Sequence, residues 1–446
     1  MKNVKMLAMM LLALALIFTA ACSKSNGPAG MGSDNETPPA QQEEPGKEKA
    51  DIDMNGETIR ILQWASEPDP DTQEGELALA RQKEVEEKYN VNIEWVTVGW
   101  GENVTMVANA ALSGEPVAEI VNYVIYQAIP AINQGLLLPV DDYFDFDDPK
   151  WPAGIKNVGS FEGKMYGFKS LIHSGSGIYY NKTLFEREGL KDPHDLIAED
   201  NWTWETFLDI AKKATKDTDG DGVTDQWGLA NNNTRIWIYS NNGKLIDHRD
   251  GKYVFAYDDP NTIEALHFMS DLFNVHKVVV PLKNSPDDYA DSQTLFSSGK
   301  VAMVTGELWE GATRKQMTDE QGFVPFPKGP KATEFSNTIE NFEMWYMPAN
   351  VKRPKEVATI WQELQLWDRT DKIKREGSEL QNLASEKDIQ VMMEISDYVL
   401  PLFLPLGGAL GDIGRSVAST GEAPESAIER NKQLAQDSID ANLNAK

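Results

Sequence analysis

Residues 58–64 read TIRILQW, in which Ile59, Ile61 and Leu62 alternate with Thr58 and Arg60 before the run turns apolar, as a buried strand does. The next stretch carries Ala78, Val85 and Tyr89 on one face of a helical pattern. Then Val91, Ile93 and Trp95 alternate with Asn92 and Glu94. Strand, helix and strand in that order form the unit of an α/β layer with a parallel sheet. A third strand at 118–123, and the turn Gln134-Gly135 before Leu136, Leu137, Leu138 and Pro139, continue the pattern. There is no internal repeat.

Upstream of this unit the chain is of another kind. Lys2 and Lys5 precede an apolar run from residue 6 to residue 21, which ends at Cys22, the single cysteine of the sequence. A positive start and a short apolar run read as an export signal over residues 1–21. The run is shorter than the roughly 20 residues a membrane span needs. Thr19-Ala20-Ala21-Cys22 resembles a lipobox, with Thr19 in place of the usual leucine, and Cys22 is then the lipidated residue. The alternative is an ordinary cleaved signal with Cys22 a bystander. A lone cysteine in an exported chain can form no internal disulfide, which favours the lipid tether. Two or more acyl chains give stable anchoring. Residues 22–55 are rich in Pro, Gly, Ser, Gln and Glu and carry too little apolar surface to order themselves, so they read as a flexible linker to a globular head on the outer face of the cell membrane.

About 390 residues remain, more than one core usually serves, so two domains or lobes are expected. The formal charge is −28, and loss of Lys2 and Lys5 with the signal takes it to −30. That excess of carboxylates repels phosphate backbones and anionic head groups, which excludes nucleic acid and direct membrane-surface binding and favours a neutral ligand. For most of the seventy Asp and Glu residues solubility is reason enough.

Further along, Met165-Tyr166-Gly167-Phe168 precedes GIYYNKTLF at 177–185 and NWTWETFLDIAKKA at 201–214. In the latter, Thr203 is placed to cap a helix with the apolar stripe Phe207, Ile210, Ala211 and Ala214. FSSGKVAM at 296–303 leads to Gly306-Glu307-Leu308-Trp309, FVPFPKGP lies at 323–330, and the chain closes on an amphipathic helix within 421–444. These phrases, in this order and over nearly the whole exported chain, resemble the family 1 extracellular solute-binding proteins of bacterial ABC transporters, the group that includes maltose-binding protein. The resemblance implies a two-lobed α/β fold of the type II periplasmic-binding-protein kind, hinge strands crossing between the lobes, and ligand in the cleft. It divides the chain into an N-terminal lobe of 56–172 plus about 329–385 and a C-terminal lobe of 173–328 plus about 386–446. It also implies a monomeric receptor that delivers its ligand to the permease subunits of the transporter.

Sugars present apolar C–H faces and rims of hydroxyls, so their sites combine aromatic platforms with polar acceptors. Twelve tryptophans are available. Trp64 ends the first strand, where ligands approach open α/β sheets. By resemblance Trp309 is the stacking residue, Trp237 and Trp345 lie in cleft-lining segments, and Glu67, Tyr126, Glu307, Glu310 and Glu343 are polar neighbours. A core position is the competing reading for each tryptophan. Trp95, Trp204 and Trp361 sit on apolar faces and read as structural.

Asp217, Asp219, Asp221, Gly222 and Asp225 match the calcium-loop spacing D-x-D-x-D-G-x-x-D. Oxygens at these positions, with the Val223 carbonyl, converge on a hard cation, and Gly222 permits the turn. Position twelve is Gly228, so Gln226 or another oxygen completes the shell. A solvated acidic turn is the alternative reading. An enzyme is disfavoured: His-Glu-x-x-His and Gly-x-Ser-x-Gly are absent, and chance carboxylate pairs among seventy discriminate nothing. A lipoprotein that binds peptides would keep the fold and change the ligand.

Overall fold

The computed structural model describes residues 52–444, apart from 65–66, 153, 173–174, 232, 234, 315, 340–341, 370–384, 397–398 and 402–406. The expected signal, Cys22 and nearly all of the linker lie outside the described residues.

The opening unit forms as its sequence dictates. Strand β1 (Thr58–Gln63) and β2 (Asn92–Thr97) flank helix α1 (Gln73–Tyr89) and pair in parallel, Ile61 beside Trp95. Helix α1 starts where the Thr72 side chain accepts from the Gly75 amide, and ends where Asn90 turns left-handed at φ 49°. Helix α2 (Glu102–Ser113) leads to β3 (Ile120–Val124), which pairs with β1 in parallel. A second four-stranded sheet holds β6 (Ser176–Asn181), β7 (Trp227–Ala230), β10 (Val301–Glu307) and β11 (Gln321–Val324), in the order β11-β6-β10-β7. Here β6 runs antiparallel to both its neighbours, while β7 and β10 are parallel. Two small hairpins, β4 (Ser160–Phe161) with β5 (Lys164–Met165) and β8 (Ile246–Arg249) with β9 (Lys252–Phe255), lie outside the main sheets.

The chain then returns. Strand β13 (Glu343–Tyr346) joins the first sheet antiparallel to β3, giving the order β13-β3-β1-β2, so that sheet is mixed rather than purely parallel. The helix Pro354–Leu364 packs on α1, and the helix Glu386–Ser396 packs on β11 of the second sheet. Two short strands on these passages, β12 (Asn337–Ile339) and β14 (Val399–Pro401), pair in parallel. The passage at β12 is fastened to the start of β6: Asn337 Oδ1 accepts from the Ser176 amide at 3.1 Å, and the Ser176 hydroxyl donates to the Thr338 carbonyl at 2.5 Å. Gly175 leaves room for this contact, because a Cβ there would stand 2.3 Å from Asn337 Oδ1 and displace it.

The last passage is fastened by a buried carboxylate. Asp388, fully buried, lies 2.7 Å from His194 Nε2 and accepts from the Phe323 amide, from Lys182 Nζ at 2.8 Å and from the Ser385 hydroxyl. Burial pushes its carboxyl up, but the hydrogen bonds of His194, Lys182 and Ser385 outweigh it and hold the group below the usual carboxylate range. The closing helices Gly407–Thr420 and Pro424–Asn442 pack on each other and on the helix Pro260–Asn274.

Candidate functional site

Beyond the carboxyl end of β10 the chain tightens into a 3₁₀ turn, Leu308–Arg314. Leu308 is buried, and the next residue, Trp309, is thrown outward to 41 % exposure. Tyr289, 40 % exposed, stands beside it with ring centroids 6.1 Å apart and planes tilted by 33°. The indole Nε1 donates to Glu307 Oε2 at 2.6 Å, which fixes the ring relative to the strand end.

Under this pair lies a buried polar floor. Glu310 turns inward, where Oε1 accepts from the Glu307 amide at 2.9 Å and Oε2 accepts from Gln293 Nε2 at 2.8 Å. Arg314 Nη1 stands 3.7 Å from Glu310 Oε2 and donates to Gln293 Oε1, while its Nε donates to Gln321 Oε1 at 2.9 Å. The guanidinium lies 3.9 Å from the ring centroid of Tyr179, whose hydroxyl donates to the Leu308 carbonyl at 2.6 Å and accepts from the Gly311 amide. Burial pushes the Glu310 carboxyl up to about 7, although the Glu307 amide and Arg314 pull against it. Burial also pushes Arg314 down.

The carboxyl end of the first sheet is built differently. Trp64, half-buried, follows β1, and Trp100, 50 % exposed, follows β2. The two indoles meet edge to face, with centroids 4.6 Å apart and planes at 81°. The turn bearing Trp100 is shaped by Gly101, left-handed at φ +79°, and by the Gly99 amide, which donates to Glu102 Oε2 at 2.9 Å. Tyr126, half-buried, opens the helix Ile125–Asn133 directly after β3, and Glu343, half-buried, opens β13 opposite Val124. Glu67 is exposed just after Trp64.

Several expected site residues belong elsewhere. Trp237 is fully buried: its Nε1 donates to Asn231 Oδ1, and Phe207, Phe268 and Phe326 surround the ring at 5.2 to 5.6 Å. It is a core residue, not a ligand platform. Glu310 is 4 % exposed with its oxygens engaged by the floor, so it supports the turn rather than facing a ligand. Trp345, half-buried, meets Trp95 at 6.2 Å and lines a cavity of about 200 Å³ with Trp361, Ala78 and Gln82, on the α1 side of the first sheet. Trp204 and Trp361 are buried. Trp100, Tyr289, Gln293 and Arg314 were not singled out from the sequence. For Trp100 the signal was present, since it follows a strand as Trp64 does; for the other three none was.

In the carboxylate loop, Asp217, Asp219 and Asp225 bring one oxygen each to within 4.8 Å of one another. Asp217 accepts from the amides of Gly222, Gly220 and Asp219, which hold its carboxyl below the usual range. Gly220 and Gly222 adopt φ +82° and +88°, as the turn requires. This trio is a donor set suited to a hard cation. Asp221 lies outside it, its Oδ1 accepting from the Val223 amide at 2.7 Å. Gln226 is not a ligand: it is buried, Nε2 donates to the Ala214 carbonyl, and Oε1 accepts from Arg187 at 2.7 Å.

A sequence profile of the bacterial extracellular solute-binding proteins matches residues 69–362. The structure is similar to a cyclo/maltodextrin-binding protein complexed with maltotetraose, with a TM-score of 0.66 at 18 % identity over 88 % of this chain and 99 % of that one. It is similar to UspC of M. tuberculosis, with a TM-score of 0.66 at 16 % identity over 85 % and 100 %. An ABC substrate-binding protein of Listeria monocytogenes in complex with cycloalternan gives a TM-score of 0.60 at 17 % identity over 88 % and 100 %. At these identities the likeness establishes the two-lobed fold. An uncharacterized ABC transporter extracellular-binding protein of Pyrococcus horikoshii is 30 % identical over 119 residues, 26 % of this chain and 27 % of that protein.

Proposed function

The chain belongs to the bacterial extracellular solute-binding proteins, and from that premise we propose that it captures a neutral sugar or oligosaccharide and delivers it, chemically unaltered, to the permease subunits of an ABC importer. The observation that carries this reading is the exposed Trp309 and Tyr289 pair at the end of β10, with the Glu307 carboxylate hydrogen-bonded to the indole. An indole face offers a sugar's C–H face apolar area worth about 25 cal/mol per Å² buried, and a carboxylate at its edge accepts from hydroxyls. That structurally similar proteins were solved with maltotetraose and cycloalternan supports the ligand class. The test is a thermal-shift screen of mono- and oligosaccharides, followed by calorimetry on Trp309→Ala. Binding weakened by a few kcal/mol supports the reading; an unchanged affinity removes Trp309 from the site, and turnover of the sugar overturns the receptor.

The lobes of this reading are 56–172 plus about 329–385 and 173–328 plus about 386–446, a division supported by the separation of the strands into two sheets. The receptor acts as a monomer tethered through Cys22, and Cys22→Ala then releases a folded protein into the medium. Retention of that variant in the membrane fraction would sink the tether. Calcium, held by Asp217, Asp219 and Asp225, stabilises the loop. Chelation with EDTA is expected to lower the melting temperature and added calcium to restore it, a bound ion at 100 times its dissociation constant contributing about 2.7 kcal/mol. A melting temperature indifferent to both leaves only an acidic turn.

A further inference from the structure

Between the first sheet, α1 and the helix Pro354–Leu364 lies the cavity of about 200 Å³, and three indoles wall it. Trp95 of β2 and Trp345 of β13, both half-buried, meet at 6.2 Å with planes at 63° and form a corner, while the buried Trp361 enters from the helix. The uncharged polar groups of the lining are spent on one another and on the backbone. Gln82 Oε1 accepts from Trp95 Nε1 at 3.0 Å, and its Nε2 donates to the Ile93 carbonyl at 3.3 Å. The Ser170 hydroxyl donates to Gln365 Oε1 at 2.6 Å, and Gln365 Nε2 donates to the Trp361 carbonyl at 2.9 Å. Little remains to match the hydroxyls of a sugar, and the space is below the roughly 300 Å³ at which pockets for drug-sized ligands begin. An apolar cavity of about 150 Å³ holds benzene, so this one suits a compact guest only slightly larger. One charged group is left over. Glu74, exposed in the first turn of α1, is the single ionisable side chain of the lining and makes no hydrogen bond or ion pair among the described residues. Indole faces and an unpaired carboxylate share a preference for positive charge, and the net charge of −28 draws cations to the chain as a whole.

We propose that this cavity is a second binding site, which takes a small N-methylated organic cation, its apolar body among the three indoles and its charge toward Glu74. Methyl groups on nitrogen spread the charge over an apolar surface and remove the N–H donors that would otherwise need acceptors. A metal ion or a primary ammonium would need those acceptors, and Gln82 and Gln365 have already committed theirs. The site is independent of sugar capture, because it uses no residue at the end of β10.

The test is calorimetry on the purified full chain with choline and with its neutral isostere, in which a tert-butyl group replaces the trimethylammonium. Choline is expected to bind the wild type with a dissociation constant of about 1 mM or tighter, and the isostere at least about tenfold more weakly. Glu74→Gln, at an exposed position where folding is not at stake, should lose about threefold or more. Ala78→Leu fills the cavity from α1 and should abolish binding while urea unfolding stays cooperative. If that variant does not fold, Glu74→Gln decides. Trp309→Ala should bind choline as the wild type does. No binding up to about 10 mM choline, equal affinity for the isostere, or full affinity in Glu74→Gln or in a folded Ala78→Leu would each overturn the proposal. Loss of choline binding in Trp309→Ala would also overturn it, by moving the cation to the end of β10. Sugar binding is measured separately on the same protein, and its failure leaves these outcomes untouched.

Discussion

The two exposed tryptophans are alike in exposure and unlike in what stands beneath them. Trp309 rests on a floor of buried charge, in which Glu307, Glu310 and Arg314 are each less than a tenth exposed. Trp100 rests on another indole in a glycine turn. A floor of buried ions is tied to the fold, because a charge taken out of water must keep its partners. A ring leaning on a ring has no such obligation. Trp309 is thus coupled to global stability and to pH, while Trp100 can change with little consequence for folding.

The sharpest way to break this contrast is to remove the cation of the floor. Arg314→Met takes away the buried guanidinium that donates to Gln293 and Gln321 and faces Glu310 at 3.7 Å, and is expected to cost about 3 kcal/mol or more of unfolding free energy in urea denaturation. A loss under about 1 kcal/mol would mean that the floor is not load-carrying for the fold. Next in size is a pH effect. Because the folded Glu310 carboxyl sits at about 7, against 4.5 as the ordinary value, the unfolded chain releases its proton first as pH rises. The folded state therefore holds its full advantage below pH 4.5 and loses it through to about pH 7. Between pH 5 and pH 8 this group is expected to remove about 2 kcal/mol, a decline that Glu310→Gln abolishes. Parallel stability curves for the two proteins would show that Glu310 ionises normally.

Smaller still, Trp309→Phe keeps a ring but takes away the donor to Glu307 Oε2, and is expected to cost about 1 kcal/mol of stability. The smallest effect belongs to Trp100. Trp100→Ala should shift unfolding by no more than about 0.5 kcal/mol, and a larger shift measured by denaturation would show that the Trp64 contact is structural after all.

What the sequence determined by itself was local. The alternation in residues 58–64 and 91–95 and the stripe between them form β1, α1 and β2 because strand and helix periods follow from the backbone. Thr203 caps the helix Trp204–Ala214, and the terminal amphipathic segment is a helix, for the same reason. The glycines between Asp217 and Asp225 turn the loop because only there is φ positive without strain. Tertiary structure alone decided which of the twelve tryptophans meet water. Trp237 and Trp309 both lie in a short helical turn that comes after a strand, but Phe207, Phe268 and Phe326 arrive over Trp237 from three distant segments, while nothing but Tyr289 arrives beside Trp309 among the described ring contacts. Gln226 was lost to the metal loop because Arg187 and the Ala214 carbonyl, brought from other elements, claim its amide. The antiparallel return of β13 and the donors gathered on Asp388 join residues far apart in the chain. Burial is a property of what packs against a side chain, and the partners here come from positions that no local pattern connects.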